Sequence, residues 1–149
     1  MLVYRITLAR YAHSLLASGR AARWNSNDRE MIYTSSSRSL ACLENIVHRS
    51  QLGLSDHFRV LSIEIPESIE IVSLNIEQLP YQWHAFENMH ITQGLGDQWL
   101  NDANSAVLKV PSSIIQSEFN YLLNPRHADF RLNKLLNDEP FIFDERIKR

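Results

Sequence analysis

Residues 31–48 read MIYTSSSRSLACLENIVH, and two periodicities follow one another within them. Met31-Ile32-Tyr33-Thr34 is a β-branched and aromatic run that predicts a short strand. Ser35-Ser36-Ser37 follows at once. A serine hydroxyl suits the start of a helix because it can accept one of the unpaired backbone N–H groups there. Leu40, Leu43, Ile46 and Val47 then recur at three- and four-residue spacing, which predicts a helix over residues 38–49, ended before Gly53. One acid, Glu44, lies inside this apolar repeat. On spacing alone it reads equally well as a solvent-facing residue.

Outward from this unit the chain alternates short strands and helices. Residues 2–8 carry Val3, Tyr4, Ile6 and Thr7 and predict a first strand. Residues 9–30 are polar, show no sustained period and contain the turn-like Asn25-Ser26-Asn27-Asp28, so they read as a partly helical or irregular connection. After the central helix, residues 58–65 predict a strand with Leu61, Ile63 and Ile65 on one face. Residues 69–74 predict another, separated from it by Pro66. A helix is expected around residues 92–100 and a buried strand over residues 106–110, stopped by Pro111. Phe141-Ile142-Phe143 predicts an edge or closing strand before the charged tail at residues 146–149. The pattern is α+β. With no internal repeat and no linker rich in Gly, Pro or Ser, residues 1–149 read as one domain.

Composition narrows the class. The chain has 149 residues, a formal charge of −2, 44% hydrophobic residues, four glycines and a single cysteine. No apolar run approaches the ~20 residues of a membrane-spanning helix. Arg5, Arg10 and His13 interrupt the N-terminal stretch where a signal-peptide core would lie, so a cytoplasmic location is expected. Cys42 alone supports neither an intramolecular disulfide nor a thiolate zinc cluster, and its place on the central helix suggests a small buried hydrophobe. The charge is uneven. Residues 1–60 hold eight arginines, no lysine and four acids, whereas residues 61–149 hold seven bases and thirteen acids. An arginine-only basic half favours a defined anionic ligand over diffuse contacts to a nucleic-acid backbone, because guanidinium forks match phosphate and carboxylate, although from composition alone it reads first as a solvated surface with one helix face of arginine.

Common site signatures are missing. The six histidines show no HExxH pair, no Gly-x-Ser-x-Gly elbow occurs, and glycines at 19, 53, 94 and 96 make neither GxGxxG nor a P-loop. What remains is a constellation: Arg23-Trp24-Asn25 ahead of the strand, Tyr33 in it, Glu44 in the helix, and Ser112-Ser113 after Pro111. The serines read equally as a strand terminator.

Taken in order, LVYRITL (2–8), ARWNS (22–26), MIYTSSSRSLACLENIVH (31–48), LGDQWL (95–100), AVLKVPSSII (106–115), FNYLLNPRHADF (119–130) and FIFDERI (141–147) resemble the RES domain, the toxin of a bacterial toxin–antitoxin pair. The resemblance runs from Val3 to Arg146. Two departures stand out: Ala21-Ala22 where the family more often has glycines, which puts the position of Arg23 in question, and Ala128 where a proline often follows the histidine.

The resemblance implies a split β core similar to ADP-ribosyltransferase toxins, with a cleft for NAD⁺. It implies an activity that depletes NAD⁺ by cleaving the nicotinamide–ribose bond, or transfers ADP-ribose to a protein. Its polar set falls on Arg23, Tyr33, Glu44 and Ser112, with Arg5 on the first strand as a weaker fifth member. No bound cofactor is implied; NAD⁺ is substrate, and phosphate is a candidate co-substrate. In such a reaction positive charge gathers on the ribose as nicotinamide leaves. Arg23 and Arg5 would then fork onto the pyrophosphate, and Tyr33 would stack on nicotinamide or ribose with its hydroxyl free. Glu44 would oppose the developing cation and orient the nucleophile, and Ser112 would place the nicotinamide amide or a ribose hydroxyl. The implied partners are an Xre-like antitoxin that occludes the cleft and supplies the only link to DNA, and a second toxin copy within a larger complex. The competing class is a RES-like module that binds nucleotide or antitoxin without catalysis, for which Ala21-Ala22 is the one favourable feature.

Overall fold

The computed structural model describes residues 1–48 and 57–147; the expected helix end at Arg49, the stop at Gly53 and the tail at 148–149 lie outside the described residues. One seven-stranded sheet carries the molecule. Its strands are β1 (Leu2–Leu8), β2 (Ile32–Ser35), β3 (Phe58–Glu64), β4 (Ile71–Ser73), β5 (Val107–Pro111), β6 (Phe119–Leu123) and β7 (Lys134–Phe141), in the spatial order β4-β5-β6-β2-β1-β3-β7. All neighbours run antiparallel except β4 and β5. Two helices pack on it, α1 (Arg38–His48) and α2 (Met89–Asp102).

The sheet is continuous on one face and divided on the other. Val3, Ile32, Leu61, Ile63, Val107, Tyr121 and Leu123 point to one side and form a single core. The expected alignment of Leu61, Ile63 and Ile65 is found there. On the opposite side the alternate residues fall into two separate clusters. Ile6, Phe58 and Val60 pack with Ala41 of α1, while Leu108, Val110 and Leu122 pack with Trp24, Trp83 and Trp99, the last on α2. Period-two alternation explains both sides at once, since successive side chains leave a strand on opposite faces. Between the two clusters β1 and β2 share one register pair, Tyr4 with Ser35, whereas β1 and β3 share seven. Here the β core splits.

Several expectations need correction. The apolar repeat of α1 does not mark its buried face: Leu40 and Ala41 are buried, but Leu43 and Val47 are 40% and 59% exposed. The helix turns Glu44 and Asn45 inward instead, toward the split. Cys42 is half-buried against the Phe58 cluster. The last strand occupies Lys134–Phe141 and stops where residues 141–143 were expected to pair. It lies at the sheet edge, where polar residues and Pro140 are tolerated because one side needs no ladder partner. Phe143 packs on Phe58 at 5.0 Å between ring centroids. Strand β6 is not anticipated from the sequence, since Asn120 breaks its apolar run. The helix start is as expected, with the Ser37 hydroxyl accepting the Leu40 N–H at 3.1 Å.

Candidate functional site

A cleft of about 380 Å³ opens over the split, between α1 and the loop 22–26. Arg5, Arg23, Tyr33 and Glu44 all line it, together with His48 and Asn120. Ser112 does not reach it, although Ser113 does.

Glu44 is held by three elements. Its Oε1 accepts the Ser112 hydroxyl and the Asn120 amide, each at 2.7 Å, and its Oε2 lies 3.0 Å from His48 Nε2, one turn along α1. Asn120 is oriented in turn by the Ser35 hydroxyl, which donates to its Oδ1 at 2.8 Å. Burial pushes the Glu44 carboxyl up, but hydrogen bonds from His48, Asn120 and Ser112 together outweigh it and hold the group below its ordinary value. A carboxylate 17% exposed at the rim of a cleft and fixed as an anion is not a solvent-facing helix residue. Ser112 differs from its expected role. It is fully buried, its oxygen also accepts the backbone N–H groups of Ile114 and Ile115 at 3.0 and 3.1 Å, and its proton goes to Glu44. Its hydroxyl is therefore committed to Glu44 and to the backbone of residues 114–115.

The loop bearing Arg23 is tied from every side. The Ala22 N–H donates to Asn25 O at 3.0 Å, closing a tight bridge, and neither Ala21 nor Ala22 takes a positive φ. Alanine is thus compatible with the loop, which answers the question raised by the missing glycines. From α2, the Gln93 amide donates to Ala22 O at 2.9 Å, the Thr92 hydroxyl donates to Arg23 O, and Asp97 accepts the N–H and hydroxyl of Ser26. Gly96 lets the helix come this close: a Cβ there would run into the Trp24 carbonyl oxygen. The Tyr33 hydroxyl accepts the Trp24 N–H at 3.0 Å and donates to Asn25 Oδ1. It is consequently not free, contrary to expectation; burial pushes this phenol up, well beyond any working pH. Its ring remains on the cleft wall.

Both arginines are short of partners. Arg23 is 9% exposed; one terminal nitrogen donates to the carbonyls of Trp83 and Ala85 at 3.4 and 3.2 Å, and its Nε is buried with no partner. Arg5 donates to Tyr33 O at 2.9 Å across the split. Burial draws both guanidinium groups below their ordinary values, with Tyr33 opposing at each and Glu44 opposing at Arg23. An anion arriving in the cleft would compensate that desolvation. Sequence reasoning does not single out His48, Asn120 or Asp97. Asn120 carries a readable signal, a polar residue inside FNYLL, and Asp97 sits in LGDQWL beside the glycine that permits the helix contact.

The sheet thus splits between β1 and β2, with Arg5 reaching across the split to Tyr33 O and the Glu44 carboxylate held over the same cleft. The family model for the RES domain matches residues 2–144, and the chain belongs to the RES domain family. It is 36% identical over 154 residues to "Toxin Res" of Yersinia enterocolitica, covering 99% of this chain and 100% of that protein. It is 34% identical over 130 residues to "Prs ADP-ribosylating toxin" of Sphingobium sp., covering 85% and 80%. Among solved structures, a chain of the M. tuberculosis MbcT–MbcA toxin–antitoxin complex superposes with a TM-score of 0.78 over 95% of this chain and 84% of that one, at 15% identity. The chain is a RES domain toxin whose α+β fold, with its divided sheet, is shared with that solved chain.

Proposed function

We propose that this toxin cleaves the bond between nicotinamide and ribose in NAD⁺ and arrests growth by depleting it in the bacterial cytoplasm. The carrying observation is the Glu44 carboxylate, kept ionised and immobile by Ser112, Asn120 and His48 at the rim of a cleft that also holds two under-partnered arginines. As the C–N bond breaks, its electron pair leaves with nicotinamide and the ribose carbon becomes cationic. A fixed anion beside it lowers the barrier because no reorganisation is needed. Arg23, with Arg5, takes the pyrophosphate; the Tyr33 ring supplies an apolar face for the flat nicotinamide. Water at the ribose carbon gives ADP-ribose and a proton, and phosphate as co-substrate gives the 1-phosphate ester of ADP-ribose.

The second reading is transfer of ADP-ribose to a protein side chain, favoured by the name of the Sphingobium relative. The similar M. tuberculosis structure is that of a toxin–antitoxin complex, which supports an antitoxin partner here. That partner is proposed to be Xre-like, to occlude the cleft through carboxylates that meet Arg5 and Arg23, and to bring a toxin dimer to DNA. Among the described residues no helix is long and apolar enough to cross a membrane.

The test follows NAD⁺ over time with purified protein, with and without phosphate, beside Glu44→Gln. Loss that vanishes in the variant upholds the reading, and dependence on phosphate selects the acceptor. Intact NAD⁺ with ADP-ribose appearing on a protein from lysate would move the assignment to transfer. Intact NAD⁺ under every condition would leave a binding module.

A further inference from the structure

The two oxygens of Glu44 do different work, and the division points to one more residue. A carboxylate offers about four acceptor positions, two on each oxygen. Both positions on Oε1 are filled, by Ser112 and Asn120 at 2.7 Å each, and both donors belong to buried residues. Oε1 is an anchor with nothing left to offer. Oε2 meets only His48 Nε2 among the described residues, at 3.0 Å, which leaves one position on that oxygen open. His48 itself is half-exposed and lines the cleft, as Asn120 does, so it is the open acceptor position, not the location of the partners, that singles out Oε2. Resting on the NAD⁺ reading above, we infer that Oε2 is the atom that serves the reaction and that His48 is a positioning residue for it.

The physical basis is rotational. A carboxylate pinned at one oxygen can still tilt about its last bond, and the N–H of His48 fixes the second oxygen so that its remaining lone pair faces the cleft. The imidazole must present Nε2 as a donor, because a lone pair there would oppose the carboxylate oxygen. His48 thus needs to supply an N–H at one place and nothing else. A glutamine at this position carries an N–H donor on a side chain of similar reach and keeps that function, whereas alanine removes it. An ordinary surface pair spaced four residues apart on a helix contributes little to stability and nothing to turnover.

The experiment compares wild type, His48→Ala and His48→Gln in steady-state NAD⁺ consumption, with the titration of the Glu44 carboxyl followed by NMR in the same proteins. His48→Ala is expected to lose roughly 10- to 100-fold in kcat, the loss of one hydrogen bond to a charged group, with KM within about 2-fold. Glutamine is expected to recover most of it, and the carboxyl titration is expected to move upward in the alanine variant. Unchanged kcat in His48→Ala, or a loss that glutamine does not restore, overturns the inference while leaving the NAD⁺ reading standing. A wild type that leaves NAD⁺ intact overturns that reading instead; the NMR titration then still shows whether His48 holds the carboxylate, and an unmoved titration removes the positioning role as well.

Discussion

Asn120 donates to Glu44 Oε1 at 2.7 Å and receives the Ser35 hydroxyl at 2.8 Å, so an acid on a helix is fixed by the facing ends of two strands. Asn120→Asp keeps the size and the Ser35 contact but faces one carboxylate with another. Like charges at this distance cannot both ionise without cost. The Glu44 titration is expected to rise, and NAD⁺ consumption to fall by about 10²-fold or more. Carboxyl NMR and initial rates read the two effects separately, and a variant with wild-type rate would show that Asn120 does not support the chemistry.

Tyr33 binds the loop of Arg23 through its hydroxyl. Tyr33→Phe leaves the Trp24 N–H and Asn25 Oδ1 without this partner, at a cost of about 1–3 kcal/mol. The ring stays on the cleft wall. KM for NAD⁺ is therefore expected to rise more than kcat falls, because the displaced group is the arginine proposed to take the pyrophosphate. A drop confined to kcat would instead place the hydroxyl on the reacting atoms.

The depressed Glu44 carboxyl makes stability depend on pH. Its folded value lies below the ordinary 4.5, so the native state gains from ionisation. That gain is complete above the unfolded value and is lost as pH falls through the folded one. Glu44→Gln lacks this contribution. The difference in melting temperature between wild type and Glu44→Gln should narrow as pH drops below about 4.5. A difference that widened in acid would contradict the sign.

The sheet is more legible in the sequence than the site. Alternation places Leu61, Ile63 and Ile65 on one face because a strand has a fixed period of two, and Ser37 reads as a helix start because local hydrogen bonding decides it. The α1 face is misleading, since Leu43 and Val47 repeat at helical spacing although the helix presents Leu40, Ala41 and Glu44 to the sheet. Burial of a carboxylate depends on Ser112 and Asn120, which lie 68 and 76 residues away in sequence, and no local pattern encodes such distances. Strand β7 is hidden for the same reason: Asn137, Asp138 and Glu139 have poor strand propensity, yet β3 supplies a ladder along almost their whole length. Arg23, Tyr33, Glu44 and Arg5 follow from resemblance and do meet at one cleft, whereas their division into wall, anchor and loop support needs the three-dimensional arrangement.

Two glycines in α2 separate helix propensity from loop placement. Gly94 has no atom within 4 Å of an added Cβ, whereas at Gly96 the same atom would overlap Trp24 O and lie 2.7 Å from its carbonyl carbon. Alanine in a helix interior is favoured over glycine by roughly 0.5–1 kcal/mol, so Gly94→Ala is expected to raise the melting temperature by about 1–4 °C at this chain length. Gly96→Ala gains the same propensity but must push α2 off backbone atoms, an overpacking cost of about 1–3 kcal/mol or more. Its melting temperature should fall. Because Thr92, Gln93 and Asp97 hold the Arg23 loop from the same helix, its KM for NAD⁺ should rise together with that fall, while Gly94→Ala keeps the wild-type KM. Equal behaviour of the two variants would show that α2 does not set the position of Arg23.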